Sequence, residues 1–246
     1  MASCNDTGRI HGLETLGALD GPGIRLVIFL QGCPLRCRYC HNPETWDPAG
    51  GSPRSAADLV RFARRYRPFF TGGGGVTVSG GEPLAQLPFV CELFQALQQE
   101  KISTVLDTSG WLADFWPDPD VLDLLRATDL VLLDVKALTE DRFRRLTGQS
   151  DRPLRRFISL CEQSGCLVRI RQVILPGFND RPTDIQDLAA YLKFWPDLNL
   201  ESIELLGYHR LGVEKWRQLG RPYSLDSTPA MDPQQLRVLQ DYADRR

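Results

Sequence analysis

Apolar residues in this chain follow two alternating rhythms. Short unbroken runs such as Leu26-Val27-Ile28-Phe29-Leu30 and Leu130-Val131-Leu132-Leu133 have the length of strands covered on both faces, as in a parallel sheet. Val76-Thr77-Val78, Ser103 to Leu106, Leu167 to Leu175 and Leu200 to Leu206 predict further strands, and in the third of these Arg169 and Arg171 alternate with apolar neighbours. Between the runs the period changes to that of a helix. Ser55-Ala56-Ala57-Asp58 reads as a capping box before Leu59, Ala63 and Tyr66 on one face, and Phe89, Val90, Leu93, Phe94 and Leu97 form a buried stripe. Val121 to Arg126, a short segment capped by Thr139, Pro153 to Gly165, Thr183 to Trp195 and a terminal segment opened by Asp232-Pro233 predict further helices. At the start, Met1 to Thr7 is polar and expected to be flexible, Gly8 to Thr15 predicts a short edge strand, and Asp20-Gly21-Pro22-Gly23 a tight turn. About six strand-then-helix units predict an α/β fold, an incomplete (β/α)6 TIM-like barrel formed by residues 8–246 as one domain.

Composition narrows the class. With 246 residues, 42% of them hydrophobic, the chain can bury a full core. A net charge of −2 argues against a general nucleic-acid or membrane-surface binder, and no apolar stretch approaches the length of a membrane span. The opening residues lack a basic region followed by an apolar run, so a cytoplasmic protein is expected. Seven cysteines, an odd number, point to reduced thiols. Cys4, Cys91, Cys161 and Cys166 read as structural. Lysine occurs only at Lys101, Lys136, Lys193 and Lys215, so Lys136 at the end of an apolar strand stands out. It shares that end with Asp134, and burying either charge alone costs several kcal/mol, on the order of an isolated ion's penalty.

The remaining three cysteines crowd into Cys33-Pro34-Leu35-Arg36-Cys37-Arg38-Tyr39-Cys40, directly after the first apolar run. In parallel α/β barrels the loops after strands build the active site. Thiolates suit iron-sulfur clusters or zinc. Three of them on a cubane cluster leave one iron without a protein ligand, open to a small molecule. A closed Cys3His zinc site completed by His41, or simple buried thiols, are the alternatives. The glycine run Gly72 to Gly75 is not a phosphate loop, because no Gly-Lys-Ser/Thr follows it.

The C-x3-C-x2-C loop followed by Ser79-Gly80-Gly81-Glu82-Pro83 resembles the radical S-adenosylmethionine (SAM) superfamily. Gly8-Arg9-Ile10-His11, Asp20 to Arg25, Tyr39-Cys40-His41-Asn42, Asp107-Thr108, Asp134-Val135-Lys136 and Leu206-Gly207-Tyr208-His209 through Lys215-Trp216 resemble more closely the family of pyruvate formate-lyase activating enzymes. That resemblance implies one [4Fe-4S] cluster on Cys33, Cys37 and Cys40. It also implies reductive cleavage of SAM to a 5'-deoxyadenosyl radical, which takes hydrogen from a glycine of a glycyl-radical enzyme. Pyruvate formate-lyase is the expected partner, and a flavodoxin or ferredoxin-like protein the expected electron donor. No side chain is assigned as acid or base, since the cofactors carry the chemistry.

The resemblance further assigns Tyr39, Cys40, His41, Gly80, Gly81, Glu82, Asp134, Val135, Lys136 and His209 to SAM. It assigns Asp107, Thr108, the carbonyl of Leu132 and Asp134 to a monovalent cation, for which oxygen ligands are suited, and Asp20 to the substrate peptide. Two positions depart from the family pattern: Gly207 stands where proline is expected before Tyr208, and Leu132 where methionine occurs. No further cysteine lies between Cys40 and Ser79, which favours a single-cluster activase of pyruvate formate-lyase. An activase of another glycyl-radical enzyme, a peptide-modifying radical enzyme and a zinc-stabilised interaction module are the competing readings.

Overall fold

The apolar runs pair side by side. In the computed structural model, which describes residues 7–245, β1 (Thr7–Gly17), β2 (Arg25–Leu30) and β3 (Ser52–Ser55) precede α1 (Ala56–Tyr66), β4 (Gly75–Gly80), α2 (Leu87–Gln99), β5 (Ser103–Thr108), α3 (Asp118–Arg126) and β6 (Leu130–Asp134). Helices α4 (Glu140–Thr147) and α5 (Arg152–Ser164), strand β7 (Val168–Ile174), helix α6 (Pro182–Leu192), strand β8 (Leu200–Gly207) and helices α7 (Val213–Gln218) and α8 (Pro233–Asp244) follow. The sheet order is β3-β1-β2-β4-β5-β6-β7-β8. From β2 to β8 every neighbouring pair is parallel, whereas β1 is antiparallel to both β2 and β3. Strands β3 and β8 remain edges, so the sheet is not closed: six parallel strands carry a two-stranded antiparallel flange.

Several boundaries differ from the sequence expectation. Thr7 belongs to β1, while the flexibility expected of residues 1–6 lies outside the described residues. Strand β1 is not an edge, because β3 pairs with it from Thr7↔Ser55 to Ile10↔Ser52. The residues of β3, Ser-Pro-Arg-Ser, are largely exposed and show no apolar alternation, so backbone pairing alone defines the strand, with Pro53 tolerated on an outer edge. Val135 and Lys136 lie beyond the end of β6. Helix α7 escapes the periodicity because it has six residues, of which only Val213 and Trp216 are buried. Ser55 caps α1 by accepting a hydrogen bond from the Asp58 amide.

Strand alternation separates two cores. Leu26, Ile28, Val76, Val78, Leu106, Val131 and Leu133 face the helices, in one cluster with Phe94 and Leu97 of α2 and Phe157 of α5. Val105, Leu130 and Leu132 face the other way and form a small inner cluster with Leu167. Arg25, fully buried, extends the packing at the bottom of the barrel. Its guanidinium donates to Thr77 Oγ1 at 2.7 Å, to the Pro22 and Gly73 carbonyls at 3.0 Å, to the Val76 carbonyl at 2.9 Å and to the Ser103 carbonyl at 3.1 Å. Burial lowers its pKa to about 10, against the pull of Asp129 and Asp20, so it stays charged at neutral pH. The glycine run finds its role here. Gly73 supplies an acceptor, and a Cβ on Gly23 (φ +67°) would lie 2.0 Å from the Thr71 carbonyl.

Replacing Arg25 by methionine keeps the apolar stem and strands its acceptors. The expected loss is about 2–4 kcal/mol of unfolding free energy in urea titration of the cluster-free chain, whereas no loss would mean that water satisfies those carbonyls.

Candidate active site

All six parallel strands present residues to one cavity of about 480 Å³ at their C-terminal ends, within the ~300–1,000 Å³ usual for small-molecule sites. Phe29, Ser79, Asp107, Asp134, Arg171 and Glu204 each come from a different one of them. Side chains from six neighbouring strands can share one space only if the sheet curves around it, which makes this the mouth of the incomplete barrel. The loop after β2 brings Cys33, Cys37 and Cys40 to the same cavity, Cys37 buried and the other two half-buried.

The cysteine loop is held from outside. Arg36 and Arg38 amides donate to the Thr147 and Leu146 carbonyls at the end of α4, at 2.7 and 3.0 Å. The Cys40 amide closes a turn onto the Cys37 carbonyl at 3.0 Å, and the Trp216 indole of α7 donates to the Cys40 carbonyl at 2.8 Å. Lys215 bonds Asn42 Oδ1 at 2.7 Å and Glu44 at 2.5 Å. Burial pushes all three thiols upward, Cys37 to about 12, where Lys136 opposes the shift. Loading a metal centre on them therefore releases protons. Among the described residues no three His, Cys, Asp or Glu side chains are arranged to hold a single metal ion. A cubane makes a different demand, since each thiolate reaches its own iron.

The second motif packs against the first. Gly80 takes φ +112°, and a Cβ on Gly81 would lie 2.2 Å from the Gly32 carbonyl. The glycine at 81 is thus required by the backbone of the cysteine loop, onto which the Gly81 and Glu82 amides also close, at 2.8 Å to Leu30 and Gly32. Both glycines line the cavity; Glu82 does not. Its carboxylate is buried and accepts from the Leu84 and Ser109 amides at 3.0 Å and from the Thr108 and Ser109 hydroxyls. Burial raises its pKa, and those bonds oppose the rise. Val135 is also away from the cavity. Its side chain is in the outer core and its amide donates to the Arg171 carbonyl at 2.8 Å.

Of the other assigned residues, all but Leu132 line the cavity. Lys136 Nζ lies 2.5 Å from Asp134 Oδ2 and 5.7 Å from the centre of the Tyr39 ring. Burial alone would depress its pKa, but Asp134, Tyr39 and Cys37 together hold it well above the usual value. His41 stacks on His209, with ring centres 4.1 Å apart, and its Nε2 is 3.2 Å from the His209 carbonyl. Burial, then His209, lowers the His41 pKa, so it is neutral at pH 7. Tyr208, before His209, is buried with its hydroxyl 2.9 Å from that of Tyr223. At Gly207 a Cβ would approach Leu236 of α8 to 3.1 Å.

Asp107 accepts from Ser79 Oγ at 2.6 Å and faces Arg171 at 3.4 Å, while the Thr108 hydroxyl turns to Glu82. Leu132 is opposite Asp107 in the ladder, with its side chain in the inner cluster. Asp20 and Leu19 stand at the wall. Arg171 and Ser79 escaped the sequence reading. Arg171 left a signal in its inward alternation along β7, whereas Ser79 was visible only as a motif letter.

The fit of a cluster with a zwitterionic ligand rests on what these groups lack. Tyr39, Asp134, Arg171 and His209 line this cavity, and among the described residues their buried Oη, Oδ1, Nε and Nδ1 atoms have no protein hydrogen-bond partner. Buried polar atoms are normally paired. Acceptor and donors together match a ligand bearing an amine, a carboxylate, ribose hydroxyls and a base. The three thiols match a thiophilic cluster.

Asp20 yields a pH prediction. Burial, with Asp107 nearby, raises its pKa from 3.8 to about 6, against the pull of Arg171 and Arg25. Its contribution to stability is present below pH 3.8 and lost as pH rises through 6, because the folded state then holds a carboxylate that burial disfavours. Asp20→Asn should therefore stabilise the chain at pH 7.5 by about 1 kcal/mol after solvent screening, an advantage that vanishes near pH 4, measured by urea unfolding at both pH values.

Residues 27–190 match the family model described as the Radical SAM superfamily. The chain is 41% identical to the pyruvate formate-lyase-activating enzyme of Clostridium pasteurianum, covering 96% of each chain, and 40% identical to that of Staphylococcus aureus strain USA300, covering 96% of this chain and 94% of that one. Its fold is similar to the crystal structure of a domain of pyruvate-formate lyase-activating enzyme from Bacteroides vulgatus, with a TM-score of 0.53 and 24% identity over 69% of this chain and 94% of that one.

Proposed function

Because the chain belongs to the radical SAM superfamily, in the family of pyruvate formate-lyase-activating enzymes, we propose that it activates pyruvate formate-lyase, a glycyl-radical enzyme, using SAM and a [4Fe-4S] cluster. One observation supports extending this reading to the chain's own residues: the three cysteines line one cavity together with the Asp134–Lys136 pair, Tyr39 and the stacked His41 and His209. When bound, the cluster and SAM supply the electron and the hydrogen-abstracting chemistry that side chains lack.

The side chains hold and orient. Cys33, Cys37 and Cys40 would hold the cluster as thiolates, and Lys136 offsets part of the cost of ionising Cys37. Lys136 and Asp134 offer opposite charges to the ligand's carboxylate and amine. Tyr39, His41 and His209 flank the adenosine end, and Gly80 and Gly81 border the amino end. Glu82 and Val135 act at one remove, Glu82 by tying the glycine loop to the end of β5, and Val135 by setting Lys136 beyond β6. Asp107, Thr108, the Leu132 carbonyl and Asp134 are the proposed monovalent-cation ligands, beside the charge that Arg171 already offsets. Asp20 meets the backbone of the glycine-bearing loop, and a small redox protein delivers the electron in the cytoplasm.

Anaerobic reconstitution with iron and sulfide, followed by electron paramagnetic resonance of the glycyl radical on pyruvate formate-lyase, tests the reading. Cys37→Ser should abolish both cluster and radical. A chain that takes up stoichiometric zinc, shows no iron-sulfur spectrum and keeps its fold would overturn it.

Lys136→Ala and His209→Ala should each weaken SAM binding by about tenfold or more while iron content is kept. Loss of iron at unchanged affinity would give them structural roles instead.

A further inference from the structure

An enzyme of the proposed kind must receive one electron for each cleavage, and its cysteines are largely buried. The outer side of the cysteine loop, turned away from the cavity, carries a group of residues that the mechanism above does not use. Arg36 and Arg38 flank Cys37, are exposed and do not line the cavity. The Arg36 guanidinium stands 4.9 Å from the centre of the Trp46 ring, and exposed Arg221 stands 5.1 Å from it. Arg38 reaches Ser224, near Arg221 in the chain, at 3.0 Å. Arg36 and Arg221 thus share one buried indole, and Arg38 adjoins them through Ser224.

Their charge is unspent. Among the described residues neither Arg36, Arg38 nor Arg221 makes an ion pair. The neighbouring Arg144, Arg145, Arg210 and Arg217 are each paired, with Glu140, Asp141, Asp226 and Glu214. Among the described residues the Arg36 guanidinium bonds only the Cys33 and Leu35 carbonyls, and the Arg38 guanidinium only Ser224. Asp47, beside Trp46 in sequence, is exposed, and one of its oxygens accepts from the Ala49 amide. On a chain with net charge −2, a contiguous group of three uncompensated arginines is a local feature that bulk composition hides.

What lies beneath the patch gives it a direction. Trp46 is buried and meets Trp216 edge to face, ring centres 5.1 Å apart. Trp216 donates to the Cys40 carbonyl at 2.8 Å. Two indoles therefore connect the arginine surface to the backbone of Cys40.

We propose that the face formed by Arg36, Arg38 and Arg221 over Trp46 docks a small acidic redox protein, which gives up one electron that the cluster accepts through the Cys40 side. The proposal rests on the function assigned above and adds the surface by which the donor is recognised. Complementary charge steers such encounters and raises association rates by about 10–10³-fold at low salt. The site is well placed because none of the three arginines lines the cavity, so donor and substrate can be bound together.

The test uses the reconstituted holoenzyme. Arg38→Glu/Arg221→Glu leaves Arg36 and its loop bonds in place. Anaerobic stopped-flow follows bleaching of the cluster by photoreduced flavodoxin, an acidic carrier, and in parallel by photoexcited deazaflavin, a small reductant that needs no docking. The reversal should slow reduction by flavodoxin at least tenfold at low ionic strength and flatten its salt dependence, with the deazaflavin rate and SAM cleavage under deazaflavin unchanged. The neutral variant Arg38→Gln/Arg221→Gln should fall between. Flavodoxin rates within twofold of the parent for a cluster-loaded charge-reversed chain would overturn the proposal. A parent chain that cleaves no SAM even under deazaflavin would overturn the function reading itself and this proposal with it.

Discussion

A parallel sheet has two faces to cover, and in this chain helices cover only one. The concave face must be filled by the strands' own side chains, and six strands are too few to close a barrel around them. The solution is graded along the axis. At the bottom Val105, Leu130 and Leu132 pack together and Arg25 ties strand ends and turns through backbone carbonyls. Toward the top the same face turns polar, through Ser79, Asp107, Asp134 and Arg171. A buried guanidinium costs several kcal/mol unless every donor is used, on the order of other buried charges. Arg25 meets that condition because glycines at the base let carbonyls crowd around it.

Above this base, the reactive loop is gripped between elements remote in sequence. The end of α4 receives two of its amides, α7 seizes its last cysteine, and Gly81 presses against Gly32. None of these contacts needs a metal. The loop is therefore shaped by the polypeptide, and the thiols are presented by hydrogen bonds formed on folding. The geometry also separates two kinds of motif residue. Lys136, Tyr39 and His209 leave polar atoms at the cavity or contribute to its charge, while Glu82 spends all its acceptors on the protein.

Much of this was legible because the chain repeats one physical pattern. Unbroken apolar runs such as Leu26 to Leu30 have one meaning when they alternate with helical stripes, and a charged pair ending such a run marks a strand mouth. Three cysteines in eight residues announce thiol chemistry before any fold is known. Other features left no trace in periodicity. Strand β3 carries no apolar residue, and α7 is too short for a stripe. The resemblance assigns Gly81 to the ligand, and the space of its missing side chain is claimed as well by the Gly32 carbonyl. Which partner a glycine accommodates is a three-dimensional fact. The inward aim of Arg171 was present as alternation, but choosing which alternate face is inner required the whole sheet.

The outer margin of β8 has a further consequence. Gln240 of α8 accepts from the Leu205 amide and donates to the Ile203 carbonyl, both at 2.8 Å, occupying with one side chain the positions another strand would use. The seam between the first and last strands therefore cannot zip shut, and the exposed margin is a poor template for a foreign strand. The break in the ring of strands is thus fixed by α8 itself, one amide side chain standing in for the neighbour that β8 lacks.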